Sequence, residues 1–319
     1  MVDLSVVIPV YRAEACLTEL HRRVTAAVLP ITKDFEIIFV EDCGGDDSWP
    51  LIAQLAQEDS RVKGLQLSRN FGQHYAITAG LDHSSGEAIV VMDCDLQDTP
   101  EEIPRLYAKL KEGFDVVVAR RQKRTDSAIK LASSALFYKL FRYLSDIPYD
   151  GRVGNFRLIS RKVADIFVAM PERLRFFGPM VDWMGFPMAT VDVRHGERFA
   201  GESSYSYRKL FGLARNAIIA YSNKPLRIAV NMGIGISAVS FALGSHMIVR
   251  KFTQGIPVAG WTSIIVSIYF MGGLTVTLLG VIGIYLGETF DAIKRRPLYL
   301  VARSTSNPIS TPKSVNFGG

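Results

Sequence analysis

The sequence contains few cysteines. There are three among 319 residues, Cys16, Cys43 and Cys94, and no two of them have C-x-x-C spacing. An odd number without that spacing is typical of a reduced compartment and provides no framework of structural disulfides.

Common nucleotide-binding signatures are also missing. The sequence has no G-x-x-x-x-G-K-[ST] motif, and no G-x-G-x-x-G follows its first apolar run. A P-loop ATPase and a dinucleotide-dependent enzyme are therefore excluded. The stretch GIGIS at residues 233–237 lies within a long apolar run, where helix packing explains it more simply.

His74 and His83 are nine residues apart, about 180° around a helix, so they cannot bind one metal from the same face.

Asp, Glu, Lys and Arg are absent from two long runs, residues 228–249 and 252–287. The first run has about 22 residues, which as a helix would be about 33 Å long, enough to cross a bilayer. We therefore predict two transmembrane helices, at about 228–249 and 261–287; two buried core helices are the alternative. Neither run is N-terminal, so neither is a signal peptide. Hydrophobic residues make up 48% of the chain, and its mean hydropathy is +0.16.

Basic residues flank both predicted spans. They are Arg208, Lys209, Arg215, Lys224 and Arg227 before the first, and Lys294, Arg295, Arg296 and Arg303 after the second. The positive-inside tendency places both flanks in the cytoplasm, against a weaker contribution from Arg250 and Lys251 in the connecting loop. We therefore predict a multi-pass protein of the inner (plasma) membrane. The net charge of +6 fits contact with anionic lipid better than nucleic acid, because much of the excess lies beside the apolar runs.

The segments around the two spans have their own patterns. Residues 206–226 are predicted to form an amphipathic juxtamembrane helix, because apolar residues recur there at helical spacing; an ordinary packed helix is the open alternative. Residues 289–319 are predicted to be a cytoplasmic tail, and its Ser-, Pro- and Asn-rich part after Arg303 to be disordered.

Apolar runs alternate with helical patterns in the N-terminal part. The predicted strands are at 4–10, 35–42, 62–68, 87–93 and 114–120, and the predicted helices at 14–28, 49–59, 72–84 and 100–112. This alternation predicts an α/β domain with a mostly parallel sheet, extending over residues 1–205. In such sheets ligands bind at the carboxyl ends of the strands. The charged residues predicted there are Glu41, Asp42, Asp93, Asp95, Arg120 and Arg121.

The stretch IVVMDCDLQDTPEEIP at residues 89–104 places several carboxylates close together. Asp93 and Asp95 form a D-x-D at the end of the fourth predicted strand, which suits Mg²⁺ or Mn²⁺ shared with a substrate's phosphates. Asp98, Glu101 and Glu102 are instead interpreted as favourable partners of the helix dipole near Pro100. A solvated acidic loop is the alternative for the whole group.

Seven blocks of sequence then carry a resemblance. In chain order they are SVVIPVY, FEIIFVED, SRNFGQHYAITAGLDHSSGEAIVVMDCDLQDTPEEIP, DVVVARRQKR, GNFRLISRK, ERFAGESSYSYRKL and YLGETFDAIKRRPLYLV. Together they resemble the polyprenyl-phosphate glycosyltransferases of glycosyltransferase family 2, which include undecaprenyl-phosphate glucosyltransferases and aminoarabinose transferases and are related to dolichol-phosphate mannose synthases. The resemblance implies a GT-A fold with a C-terminal two-helix membrane hairpin, and likewise a homo-oligomer. It implies inverting transfer of a sugar from a nucleotide sugar, UDP-glucose or UDP-aminoarabinose, to polyprenyl phosphate.

The resemblance also implies site residues. Those for the nucleotide are Pro9, Tyr11, Glu41 and Asp42; those for the metal are Asp93, Asp95 and Gln97; those near the donor or acceptor phosphates are Arg121, Arg124 and Arg198, with Ser203 in the GESSY loop. Arg12 and Ala13 stand where the family usually has Asn and Glu, and Asn155 stands where many relatives carry Asp, the position of a possible general base. A phosphomonoester has its second pKa near about 6, so the acceptor needs little help from a base.

Two other functions compete with this interpretation. A processive polysaccharide synthase is opposed by the absence of Q-x-x-R-W, since none of Trp49, Trp183 and Trp261 follows an arginine. A non-enzymatic membrane scaffold with a decayed nucleotide fold predicts loss of the aspartates, and both Asp93 and Asp95 are present.

Overall fold

The computed structural model describes residues 2–121, 153–193, 196, 222, 224–254, 260–294 and 296–306. They fall into two compact units. Among the described residues, the first unit contains 2–121, 153–193, 196 and 296–306, and the second contains 222, 224–254 and 260–294. The predicted site residues Arg124, Arg198 and Ser203 lie outside the described residues, as does nearly all of the predicted amphipathic helix at 206–226.

The first unit is built on an eight-stranded sheet. Its strands are β1 Leu4–Val10, β2 Phe35–Glu41, β3 Val62–Leu67, β4 Ala88–Val91, β5 Val116–Arg121, β6 Val153–Ser160, β7 Met188–Val193 and β8 Val301–Ser304. They lie in the order β7-β5-β6-β4-β1-β2-β3-β8. The helices of this unit are α1 Glu14–Val28, α2 Ser48–Glu58, α3 Gln73–Asp82, α4 Ile103–Lys111, α5 Arg161–Ala169 and α6 Phe177–Trp183.

The five strands predicted from apolar runs are confirmed as β1 to β5. β1 is parallel to β2 and to β4, and β2 is parallel to β3. β6 is antiparallel and lies between β4 and β5, while β7 is parallel to β5. The sheet is therefore mostly parallel, as predicted, with antiparallel strands that the alternating pattern did not reveal.

The centre of the sheet is buried on both faces. Every residue of β1 and β2 is buried, which is why these strands are continuous apolar runs rather than alternating ones. α3 lies directly on them, because Gly80 has no side chain: a Cβ at this position would be 2.3 Å from Cγ1 of Val7 and 3.2 Å from Cγ2 of Val40. The close approach fixes α3 against the two strands whose carboxyl ends form the candidate site.

The prediction of a tail over residues 289–319 is wrong for its described part. The last helix continues to Ile293, and Val301–Ser304 forms β8, antiparallel to β3 at the edge of the sheet. The backbone N–H of Gly64 donates to Oγ1 of Thr305 at 2.8 Å, and the hydroxyl of Tyr299, 1% exposed, donates to Oδ2 of Asp82 at 2.5 Å. A four-residue strand has too little periodicity to be recognised, and its partner strand is distant in the sequence.

The second unit contains two long helices, α7 Lys224–Gln254 and α8 Trp261–Ile293. By length and composition both could cross a membrane: the mean hydropathy is 1.6 over Leu226–Leu243 and 1.8 over Phe270–Asp291. Neither window has a buried residue among those described, which argues against core helices of a soluble unit. Within this unit the hydroxyl of Tyr285 donates to the carbonyl of Ser222 at 2.8 Å.

Candidate active site

The loops after β1, β2 and β4 form the candidate site at the carboxyl edge of the sheet. Each contains one non-glycine residue in the left-handed region: Arg12 (φ 53°), Cys43 (φ 54°) and Leu96 (φ 61°). Such conformations cost roughly 1–3 kcal/mol each and occur preferentially at functional sites, where the surroundings hold them. The backbone of each of these three loops is therefore held in an unfavourable conformation by its surroundings.

The two acidic residues at the end of β2 hold neighbouring loops. Glu41 and Asp42 are each 2% exposed. Glu41 accepts from the backbone N–H of Gly44 at 2.6 Å and from Nε2 of Gln66 at 3.0 Å. The oxygens of Asp42 accept from the backbone N–H groups of Phe71 at 2.7 Å and of Gly72 at 2.8 Å, and burial raises the pKa of Asp42. Both carboxylates thus position the site, and their contact with a nucleotide stays a prediction.

The end of β1 presents an aromatic side chain. Pro9 is buried within the strand, opposite Val40 of β2, whereas Tyr11 is 46% exposed. The guanidinium of Arg12 lies 5.4 Å from the Tyr11 ring centroid, and its Nε donates to the carbonyl of Gly44 at 3.1 Å. Tyr11 is therefore available for stacking on a planar ligand. Pro9 is buried, so its contribution to the site is its place in β1.

Asp93 lies at the centre of a polar cluster. Its Oδ1 accepts from Nε2 of Gln73 at 2.7 Å and from Nδ2 of Asn155 at 3.4 Å. Its backbone N–H donates to Oδ2 of Asp98 at 3.1 Å, and Nη2 of Arg121 donates to Oδ1 of Asp98 at 3.3 Å. The structure thus brings together Asp93, Asn155 and Arg121, which the sequence analysis predicted. It adds Gln73 and Asp98 to them.

The interpretation of Asp98 as a helix-dipole partner is wrong. Its side chain is buried, and it joins the Arg121 guanidinium to the backbone of Asp93. In the following segment, Glu101 is exposed and pairs with Arg23 at 2.6 Å, whereas Glu102 is buried and pairs with Arg105 at 2.5 Å. Sequence spacing could not separate these roles, because Asp98 lies in the extended segment before the helical turn that contains Glu101 and Glu102.

The loop after β4 also positions Asp95 and Gln97. The backbone N–H of Gln97 donates to Oδ1 of Asp95 at 3.1 Å, and its carbonyl accepts from the N–H of Gly196 at 3.0 Å. Leu96 between them is 2% exposed, so its strained backbone is held by a packed side chain. Metal binding by Gln97 stays a prediction.

Carboxylate crowding determines the electrostatics of the cluster. Burial, with the negative charges of Asp98 and Asp95, raises the pKa of Asp93 to about 7. Burial also raises the pKa of Asp98, against the opposing effect of Arg121. A divalent cation would stabilise the ionised form of such a group.

The donor set fits Mg²⁺ or Mn²⁺ shared with a substrate. Among the described residues, no three His, Cys, Asp or Glu side chains are grouped closely enough to hold a metal by themselves. A cage of that kind is not required, because Mg²⁺ commonly uses one or two carboxylates together with substrate phosphates. Asp93 and Asp95 supply that number.

Arg120, which was predicted at a strand end, and His74 have structural roles. Arg120 points away from the cluster and pairs with Asp192 of β7, with Nε 2.7 Å from Oδ1, because successive side chains of a strand face opposite sides. His74 accepts from the backbone N–H of Phe177 at 3.4 Å through Nδ1, and its ring makes an edge contact with Phe176 at 4.8 Å. Burial lowers the pKa of His74 to about 4, so its imidazole is neutral at pH 7.

The sequence model described as "Glycosyl transferase family 2" matches residues 5–167. The chain belongs to glycosyltransferase family 2. It is 38% identical over 304 residues to the uncharacterized glycosyltransferase YkcC of Bacillus subtilis, covering 95% of this chain and 94% of that protein. It is 36% identical over 302 residues to the SfII prophage-derived bactoprenol glucosyl transferase of Shigella flexneri, covering 94% and 98%.

This family 2 glycosyltransferase has the GT-A fold predicted from the resemblance. A solved structure of glucosyl-3-phosphoglycerate synthase from Mycobacterium tuberculosis, in complex with Mn²⁺, UDP and phosphoglyceric acid, is 18% identical. The match covers 68% of this chain and 76% of the synthase chain, with a TM-score of 0.48.

Gln73 is the contact that sequence reasoning missed at the site of this glycosyltransferase. Its position contained a signal: Gln73 is the first residue of α3 and follows Gly72, whose φ is 107°. A helix that begins at the carboxyl edge of the sheet brings its first side chains to the site.

Proposed function

We propose that this glycosyltransferase transfers a sugar from a UDP-sugar to a polyprenyl phosphate. The observation that carries the proposal is the likeness to the Shigella flexneri bactoprenol glucosyl transferase over nearly the full length of both chains. Bactoprenol is a polyprenol, so a lipid carrier is the acceptor class that this relationship supports.

The two apolar helices support the same acceptor. A polyprenyl phosphate stays in the bilayer, so an enzyme acting on it needs its site at the membrane surface. We propose that α7 and α8 cross the inner membrane and that the first unit is cytoplasmic. Two spans place both flanks on one side, and the basic residues Arg227, Lys294 and Arg296 near the helix ends favour the cytoplasm.

The acidic loop supports a divalent cation. We propose that Asp93 and Asp95, with Gln97, hold Mg²⁺ or Mn²⁺, which would offset the negative charge of the donor diphosphate. The positively charged Arg121 is fixed at this edge by Asp98. Arg124, Arg198 and Ser203 remain proposed contacts of the phosphates. We also propose that the enzyme is a homo-oligomer.

The acceptor phosphate can attack the sugar without a strong base. Its second pKa is near about 6, so most of it is doubly ionised at pH 7. A phosphate oxygen forms a bond to the anomeric carbon, the bond from that carbon to the diphosphate breaks, and UDP leaves with the electron pair. A single in-line displacement inverts the anomeric configuration. Asn155 donates to Asp93 rather than acting as a base.

UDP-glucose is the first donor to test, because the similar Shigella flexneri protein is named a glucosyl transferase. UDP-aminoarabinose is the second, because the GQH and RQKR segments resemble aminoarabinose transferases.

Purified full-length protein in detergent is incubated with undecaprenyl phosphate, Mg²⁺ or Mn²⁺ and a panel of labelled UDP- and GDP-sugars. We expect one labelled lipid carrying a single sugar of inverted configuration. A growing polymer, or no lipid product with any UDP-sugar, would contradict the proposal.

A further inference from the structure

Among the described residues, the side-chain donors to Asp93 reach it from one side. Both side-chain donors, Gln73 and Asn155, reach the same oxygen, Oδ1, and the Gln73 bond is the shorter at 2.7 Å against 3.4 Å. Among the residues that the structure describes, Oδ2 of Asp93 accepts no hydrogen bond. Within the part of the chain that the structure describes, the carboxylate therefore has Oδ1 bonded to protein side chains and Oδ2 open to a ligand.

Gln73 is placed by features on both sides of it in the sequence. Before it, the backbone N–H groups of Phe71 and Gly72 are held by Asp42. After it, Gly80 allows α3 to lie directly against β1 and β2. The amide therefore approaches Asp93 from a helix that is fixed at two points.

We propose that Gln73 is a positioning residue that orients Asp93 so that Oδ2 faces the divalent cation. Carboxylates that bind metals are themselves hydrogen-bonded by neighbouring side chains, and loss of such a neighbour typically weakens metal binding about 10- to 100-fold. The inference rests on the proposed function, because it needs the cation at Asp93 and Asp95.

The test uses Gln73→Met, which keeps the side-chain length and removes the amide. Gln54→Met is the matched control, because Nε2 of Gln54 donates to Oε1 of Glu58 at 2.8 Å on an exposed face of α2. Binding of Mn²⁺ to the full-length protein with saturating UDP is measured by electron paramagnetic resonance. We expect Mn²⁺ binding about 10-fold or more weaker in Gln73→Met and unchanged in Gln54→Met.

Turnover gives a second readout. Excess Mn²⁺ should restore the kcat of Gln73→Met, because positioning is weakened while both aspartates remain. Gln73→Asn, whose side chain is one methylene shorter, should weaken Mn²⁺ binding to the same extent. This variant replaces Gln73→Met in the test if Gln73→Met does not fold.

Two kinds of failure are distinguishable. Mn²⁺ binding within twofold of the wild type in a folded Gln73 variant would overturn this inference alone. Absence of Mn²⁺ binding by the wild-type protein with UDP would overturn the metal part of the proposed function, and this inference with it.

Discussion

Carboxylates at the carboxyl edge of the sheet share a residue type but make different contacts. Asp42 binds two backbone N–H groups, Asp98 joins a guanidinium to the backbone, and Asp93 accepts from two amides. The positions of Asp42 and Asp93 at the strand ends were predictable from the apolar runs that precede them, whereas the position of Asp98 was not. The individual partners of all three were not predictable, because those partners come from the loop before α3, from α3 itself, from β5 and from β6.

A buried ion pair outside the site gives the first prediction. Arg157 of β6 is 4% exposed and pairs with Asp182 of α6, with Nη1 2.5 Å from Oδ1. Asp182→Ala leaves the guanidinium buried without a carboxylate partner, so we expect a loss of about 3 kcal/mol in stability. Asp165→Ala is the control, because its pair with Arg161 is exposed and long at 3.5 Å, and we expect a change under about 0.5 kcal/mol. Thermal unfolding measures both, and equal losses would contradict the prediction.

His74 gives a pH dependence. Its folded pKa, about 4, lies below the ordinary histidine value of 6.5. The folded protein therefore binds this proton more weakly than the unfolded chain, and stability falls as pH decreases from about 6.5 toward 4, by at most about 1.4 kcal/mol per pH unit.

His74→Asn keeps an acceptor for the Phe177 N–H and removes the titration. Melting temperatures of the wild type and this variant are compared at several pH values between 7.5 and 4.5. We expect the wild type to lose stability relative to the variant as pH falls. A difference that stays constant with pH would show that His74 does not titrate in this range.

At the scale of elements, α3 links the sheet to the site. Its Gly80 lies on β1 and β2, and its first residue binds Asp93. Movement of this helix therefore changes both packing and site geometry.

Gly80→Ala tests this link. The added Cβ would lie 2.3 Å from Cγ1 of Val7, so α3 must shift, and we expect a stability loss of about 1–3 kcal/mol together with reduced activity. Gly287→Ala on α8 is the control, since no described atom lies within 4 Å of its Cβ. Melting temperature and transfer rate are measured for both variants. Wild-type values for Gly80→Ala would contradict the packing described here.

The elements that the sequence predicted share one property. β1 to β5 and their helices are marked by local patterns: continuous apolar runs in the strands and helical periodicity between them. β6 includes Arg157, which looks unsuited to a buried strand until Asp182 is placed beside it. β8 is recognisable only through its pairing with β3. Local pattern predicts local structure, whereas these two strands depend on partners far away in the chain.

At the scale of the whole molecule, the chain consists of two units of different character. The first has the fold and acidic loop of a family 2 glycosyltransferase, and the second has two exposed apolar helices. The relatives cover nearly the whole chain, so a single function must account for both units. The proposed transfer to a membrane lipid would do so, because it needs a site for a nucleotide sugar and attachment to the bilayer.

The decisive measurement compares sugar transfer to undecaprenyl phosphate by the wild type, Asp95→Asn and Asp34→Asn at saturating Mn²⁺. Asp34 is exposed just before β2, at the opposite edge of the sheet, and provides the matched control. We expect the wild type and Asp34→Asn to transfer sugar equally and to stop when the metal is chelated. Asp95→Asn should fold with a normal melting temperature and show no detectable transfer. Retained transfer by Asp95→Asn, or transfer by the wild type after complete removal of divalent metal, would contradict a cation held by the acidic loop.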